Sequence, residues 1–216
     1  MTSRLLVNPG GRSSVSGVTA TVFGASGFMG RYVVDRLGRI GSQVVVPFRD
    51  DGMEIRHLRV CGDVGQVVAL PFHLRDRASI DEAISRSNVV INLIGRHYET
   101  RNFSFEDVNV TGPALLARAA KDAGVKRFVH LSALNASIDS PSPFLRSKAR
   151  GEEAVLDEFP EAIIIRPAVT FGWEDRFLIR FVQLSASLPF VPLINNGRQK
   201  VQPHLGRRII LEGQMF

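Results

Sequence analysis

Three glycines at a three-residue spacing, Gly24, Gly27 and Gly30, constrain this chain more than any other feature. The run before them, Ala20 to Phe23, is short and apolar and reads as a strand. After them Tyr32, Val33, Val34 and Leu37 recur as one face of a helix. Strand, glycine turn and helix is a unit with a physical purpose. Gly24 permits the tight turn off the strand. Gly27 lets backbone N–H groups approach a pyrophosphate, and Gly30 lets the helix pack close to the strand. The helix start then offers unpaired N–H groups and the positive end of its dipole to an anion. A dinucleotide is therefore the expected ligand.

The rest of the chain repeats the alternation. Gln43 to Phe48 is a second strand, apolar enough to be buried on both faces, and Met53 to Val60 is a short helix or turn. Gln66 to Phe72 is a third strand, followed by helical spacing over Arg75 to Arg86. Asn88 to Ile94 is a fourth strand. Phe105 to Ala123 is a long helical segment that Pro113 kinks or divides. Arg127 to Leu131, a helix over Ser147 to Phe159, and a sixth strand over Ala162 to Arg166 complete it. Strands alternating with helices predict an α/β fold: a Rossmann-type, doubly wound parallel sheet of about six strands with helices on both faces. Residues 1–17 read as a Gly- and Ser-rich arm and residues 18–203 as the nucleotide-binding domain.

Charge and special residues narrow the function. The formal net charge is +6 over 216 residues, but the basic residues are scattered. That argues for anionic ligands or acidic partner surfaces and against nucleic acid. Only Lys121, Lys126, Lys148 and Lys200 are lysines. Cys61 stands alone, so no internal disulfide forms; it reads as a packed residue rather than a nucleophile. No apolar run is long enough for a transmembrane helix. The first acid is Asp35, and Arg4, Arg12 and Arg31 with several Ser and Thr faintly resemble a transit sequence, which Asn8-Pro9-Gly10-Gly11 interrupts. The histidines show no metal spacing. His97 reads as a loop residue and His130 as a satisfied core histidine.

The residue after the second strand decides between NAD and NADP, because it reaches the adenosine ribose. Here it is Arg49, and Arg31 follows the last glycine directly. Two guanidiniums suit a 2′-phosphate, so NADP is favoured. Asp50 and Asp51 leave a 2′-hydroxyl contact open.

GASGFMG, NVVINLIG, Asn109-Val110-Thr111-Gly112, HLSALNA and Arg166-Pro167 resemble the extended and atypical short-chain dehydrogenase/reductases. More closely, FGASGFMGRYVV, GSQVVVPFR, VVINLIGRHYETRNFSFEDVN, FLRSKARGEE and FGWEDRFL resemble the NADPH-binding accessory subunits of mitochondrial respiratory complex I. The resemblance spans about Gly10 to Pro203. It implies that NADPH lies against Gly24, Ser26, Gly27, Phe28, Met29, Gly30 and Arg31 of the glycine turn, and against Arg49 and Leu74. It further implies contacts from Leu93, Ile94, Gly95, Ser132, Lys148 and Pro167. Active members of the superfamily use Tyr-x-x-x-Lys, in which the ammonium lowers the phenol's pKa and the phenol moves the proton that accompanies hydride transfer. This chain reads Phe144-Leu145-Arg146-Ser147-Lys148, and the usual Ser or Thr position is Leu134. The family's Asp after the third strand is His73 here, which puts an adenine contact in doubt.

The expected protein is thus one that binds NADPH tightly and does not turn it over, with no catalytic residue and no metal ligand. The implied partners are other complex I subunits at the matrix side of the mitochondrial inner membrane, with peripheral membrane contact and no transmembrane segment. Two alternatives stay open. One is an active NADP-dependent reductase, dehydratase or epimerase with an unusual proton donor such as Tyr98. The other is a regulator that senses NADP(H). Residues 204–216 depart from the family, which reads as a truncated C-terminal lobe. The sixth strand and Phe177 to Ile194 are then expected to lose their covering, with the latter either an amphipathic surface helix or a stranded helix and loop.

Overall fold

A computed structural model describes residues 14–49, 52–175, 178–188, 196, 198 and 203–206. They divide into two compact units, with the boundary between Arg166 and Pro167.

The first unit is built on a six-stranded, all-parallel sheet in the order β3-β2-β1-β4-β5-β6. Its strands are β1 (Thr19–Phe23), β2 (Gln43–Phe48), β3 (Val67–Pro71), β4 (Val89–Asn92), β5 (Arg127–Leu131) and β6 (Ile163–Ile165). The central strands β1 and β4 are buried throughout, as strands covered on both faces must be. The edge strand β6 is only partly covered.

The helices are α1 (Phe28–Arg39), α2 (Arg77–Ile84), α3 (Gly112–Asp122) and α4 (Pro143–Glu158). Helix α1 packs on β1 and β2 and on a 3₁₀ turn over Gly52–Leu58, whereas α2, α3 and α4 pack side by side. Right-handed crossovers from this strand order put those two groups on opposite faces. The expected Rossmann-type architecture is therefore present. Between the sheet and α2–α4, Phe23, Phe128, Leu116 and Ile84 are fully buried. Each such side chain contributes about 1.5–3 kcal/mol by leaving water.

Three local features differ from the periodicity. The stretch Phe105–Ala123 is helical to Asp122, as expected, but a π-helical segment interrupts it just before Pro113. The π-helical turn, Asp107–Thr111, runs directly into α3, and Pro113 has no N–H to offer the Asn109 carbonyl four residues back. Helix α4 begins four residues before Ser147, because Pro143 presets its first turn. It therefore carries Phe144 and Lys148 on one helix. Finally, Ser14 to Gly17 are tied to the end of α1: Ser16 N–H donates to Gly41 O at 3.1 Å and the Ser16 and Ser42 hydroxyls lie 2.8 Å apart.

The second unit holds a parallel pair, β7 (Thr170–Phe171) with β8 (His204–Leu205), and helix α5 (Leu178–Ser187). Buried Asp175 caps α5 by accepting from Leu178 N–H at 2.6 Å. Leu178, Phe181, Val182 and Leu184 of α5 are exposed. Phe177 and 189–195 of the expected surface segment, and most of 207–216, lie outside the described residues.

Candidate nucleotide-binding site

The site is assembled at the carboxyl ends of the strands, around the gap where the chain leaves β1 for β2 on one side and β4 lies on the other. Open parallel sheets place ligands at such a switch point.

The glycine turn is fixed by two close approaches. Gly24 has φ +78°, and a Cβ there would stand 3.0 Å from Ile94 N and Leu93 C, in the loop after β4. A Cβ on Gly30 would stand 2.4 Å from the Ala25 backbone, closer than real side chains come. Only glycine satisfies both. Gly27 is the N-cap of α1 and is exposed; no side chain caps the helix start. Its first N–H groups are therefore left for a ligand. Ser26 is exposed, Phe28 and Met29 are half-buried, and Arg31 is half-buried one position past Gly30. Phe28 packs edge-on against Tyr32, with centroids 5.4 Å apart.

Arg49 follows β2 directly and is exposed. Asp50 and Asp51 lie outside the described residues. Leu74 is buried, and it packs where a Cβ on Gly112 would meet it at 2.9 Å. His73 is exposed, and its Nδ1 accepts from Arg75 N–H at 3.3 Å. It is engaged by its own loop.

Toward the other end of the site, Leu93, Ile94 and Gly95 follow β4. Sequence reasoning missed what holds them. Asn92 and His130 are register partners at the ends of β4 and β5, and both are fully buried. Asn92 Oδ1 accepts from Ile94 N–H at 3.0 Å, and Asn92 Nδ2 lies 3.1 Å from His130 Nδ1. The amide nitrogen must be the donor, so the His130 proton sits on Nε2. Nε2 has no partner among the described residues. His130 is thus a core histidine, as expected, but only half satisfied. Burial, and then the Lys148 charge, lower its pKa to about 3. The available signal was a polar residue closing each of two apolar strands.

Lys148 is 4% exposed. Its Nζ donates to Leu131 O at 3.1 Å and lies 3.1 Å from where a Gly95 Cβ would be. Burial lowers its pKa to about 8, while Glu152 one turn on pulls the other way. Glu152 is itself held by Arg166, whose Nε donates to both carboxylate oxygens at 2.9 and 3.0 Å. Asn109 of the π turn donates through Nδ2 to Ser147 Oγ at 2.9 Å. Its carbonyl faces α4 so closely that a Cβ on Gly151 would lie 1.9 Å from it.

The buried oxygens Asn109 Oδ1 and Ser132 Oγ have no partner among the described residues. Asn109 Oδ1, like Lys148 Nζ, lies within 4 Å of the Gly95 position. Buried polar atoms rarely go unpaired, and ribose hydroxyls match this set of donors and acceptors. The bare start of α1 matches a pyrophosphate. The residues present therefore fit a dinucleotide.

The positions where the resemblance expects Tyr and Ser or Thr hold Phe144 and Leu134. Phe144 packs against a tilted His97 ring, with centroids 4.7 Å apart, and edge-on against Phe105 at 6.0 Å. Partial desolvation of the His97 ring, and then the Lys148 charge, lower its pKa, although the residue as a whole is exposed. Leu134 is exposed. Tyr98 is exposed, with Arg96 over its ring at 5.5 Å. Pro167 begins the second unit. Cys61 is half-buried, and burial followed by Asp35 raises its pKa, as befits an inert thiol. Among the described residues no group of His, Cys, Asp and Glu could hold a metal, and no helix is long and apolar enough to cross a membrane.

Residues 20–172 match the NAD dependent epimerase/dehydratase family, and the chain belongs to it. It is 59% identical over 193 residues to NADH dehydrogenase [ubiquinone] 1 alpha subcomplex subunit 9, mitochondrial, of Mus musculus, covering 89% of this chain and 51% of that protein. It is 49% identical over 199 residues to the NADH-ubiquinone oxidoreductase 40 kDa subunit, mitochondrial, of Neurospora crassa, covering 92% and 52%. The chain thus spans about half the length of the curated relatives it matches. Its fold is similar to that of MoeE5 solved in complex with UDP-glucuronic acid and NAD, with a TM-score of 0.72 at 20% identity, covering 89% of this chain and 70% of that one.

Proposed function

We propose that this chain holds NADPH without turning it over and serves as an accessory subunit of mitochondrial respiratory complex I, on the matrix side of the inner membrane, where it supports assembly or stability. One observation carries the non-catalytic part. Lys148 is kept and buried, while the position one turn before it is Phe144, locked in an aromatic stack. Phenylalanine packs as tyrosine does but has no proton to transfer.

Each candidate residue of the first unit has a task in this reading. Gly24, Ser26, Gly27, Phe28, Met29 and Gly30 cradle the pyrophosphate on the start of α1. Arg31 and Arg49 take the 2′-phosphate, Leu74 borders the adenine, and Leu93, Ile94 and Gly95 line the floor. Ser132 and Lys148 flank the nicotinamide riboside. When bound, the nicotinamide supplies a hydride; these residues bind and orient it, and none of them moves a proton. The complex I assignment draws on the names of the two mitochondrial relatives. Exposed apolar residues of α5 suit other subunits or a peripheral membrane contact.

A retained ligand stabilises its protein by linkage, about 4 kcal/mol at a thousandfold excess over Kd. That gives a reason to keep a nucleotide site without chemistry. The test has two parts. NADPH fluorescence titration of the purified chain should show binding tighter than that of NADH. Single-turnover absorbance of the complex with a panel of carbonyl compounds should stay flat. Oxidation at a useful rate would instead establish a reductase. A partner affinity that differs between NADP and NADPH would establish a sensor.

A further inference from the structure

The proposed function leaves open what happens above the nicotinamide once the phenol is gone, and the aromatic stack answers this. Its three rings come from three separate segments. His97 is in the loop after β4, Phe105 lies just ahead of the π turn, and Phe144 is in the first turn of α4. The planes of His97 and Phe105 are tilted 48° and 62° from that of Phe144. Tilted pairs at 4.7 and 6.0 Å lie within the range where aromatic rings attract.

The stack is pinned at its inner side. Gly95, two residues before His97, lies against Lys148 Nζ, and Lys148 is one turn from Phe144 on the same helix. The rings therefore stand together beside Lys148, where the superfamily's proton donor meets its substrate. Phe105 and Phe144 are half-buried and His97 is exposed, so the stack forms the outer wall of the site rather than part of the core. His97 also stays neutral there, since its surroundings disfavour the charged ring.

Resting on the proposed NADPH site, we propose that His97, Phe105 and Phe144 form a shutter that occupies the substrate's place and shields bound NADPH from external hydride acceptors. The loss of chemistry is then twofold: the proton donor is missing, and the hydride is walled off. The shutter closes the site to carbonyl compounds and to dyes alike, whatever their proton requirement.

A dye that needs no proton donor separates the two. N-methylphenazonium takes a hydride from NADPH, giving NADP and the reduced dye. The experiment uses the full chain in excess over NADPH, so that nearly all nucleotide is bound. Stopped-flow absorbance follows the wild type, His97→Ala, and His97→Ala/Phe144→Leu. The expected result is that bound NADPH reacts at least tenfold more slowly than free NADPH in the wild type, with most of that protection lost in the double variant. His97→Ala alone removes only an exposed loop side chain, so it should fold and show part of the effect. Fluorescence titration confirms that each variant still binds NADPH. A wild-type rate equal to that of free NADPH overturns the shutter, and so does unchanged protection in both variants. Absence of NADPH binding in the wild type is a distinct outcome, which removes the proposed function and the shutter with it.

Discussion

The two ends of the candidate site are made of different material. At the glycine turn the working parts are backbone N–H groups and empty space, set by Gly24, Gly27 and Gly30. Around Lys148 the working parts are side chains: an ammonium, two unpaired oxygens and a stack of rings. The first kind is hard to alter without breaking the fold, because the same glycines let α1 and the β4 loop pack. The second can change its chemistry one residue at a time. A nucleotide site can therefore persist after its reaction has gone.

The contrast breaks most directly at Gly30. Gly30→Ala places a methyl group 2.4 Å from the Ala25 backbone, where no flexible side chain can yield. The expected cost is about 3 kcal/mol or more, within the range of severe core disruption, together with loss of NADPH binding. Thermal unfolding with and without NADPH checks it. Wild-type stability in the variant would mean that the glycine turn is not the rigid partner.

Acid tests the other end. His130 is neutral and buried, with a pKa of about 3 in place of 6.5. Between those values the unfolded chain takes up a proton that the folded chain refuses. Stability should therefore fall as pH drops from about 6.5 toward 3, by a few kcal/mol at most. His130→Asn should flatten that part of the curve. Lys148 works in the opposite range. Its folded pKa of about 8 lies below 10.5, so burial of the charge costs stability below pH 8. The cost should fade as pH rises from about 8 to 10.5, and Lys148→Met should remove that rise. Denaturant unfolding across pH reads both.

This difference in material also explains what the sequence could reveal. The β1–α1 unit was legible because glycine spacing, an apolar strand and helical periodicity are all local. The six strands were legible for the same reason. The Asn92–His130 pair was not, because its two members are joined only by the register of β4 with β5. The π turn was missed although Pro113 is a local signal for it: its ring crowds the Asn109 carbonyl four residues back and it has no N–H to bond there. Phe144 was legible as a missing hydroxyl, but its stack with His97 and Phe105 was not. The early start of α4 was hidden by Ser140-Pro141-Ser142-Pro143, which reads as a loop until Pro143 is seen in the first turn. A strand of two residues, such as β7 or β8, carries no periodicity to read.

Smaller effects sharpen the division. Arg49→Ser removes an exposed guanidinium after β2. A charge-assisted hydrogen bond to phosphate is worth about 1.5–3 kcal/mol, so NADPH affinity should fall about tenfold or more while NADH affinity stays within twofold. Calorimetric titration with both nucleotides measures it. An equal loss for both would move the 2′-phosphate contact elsewhere.

The smallest effect is expected at the hydroxyl itself. Phe144→Tyr adds one oxygen to a ring already held by His97 and Phe105. Stability should change by about 1 kcal/mol at most, because Phe144 is only half-buried. NADPH affinity should change by less than twofold, because the new phenol touches only the reactive end. Carbonyl reduction should still be undetectable in Phe144→Tyr/Leu134→Ser, since the rings fill the place a substrate needs. It should appear only when His97→Ala is added, read as loss of NADPH absorbance with a small aldehyde. Turnover in the double variant would show that a missing proton was the whole defect. No turnover in the triple variant, with NADPH still bound, would place the lost chemistry beyond these residues.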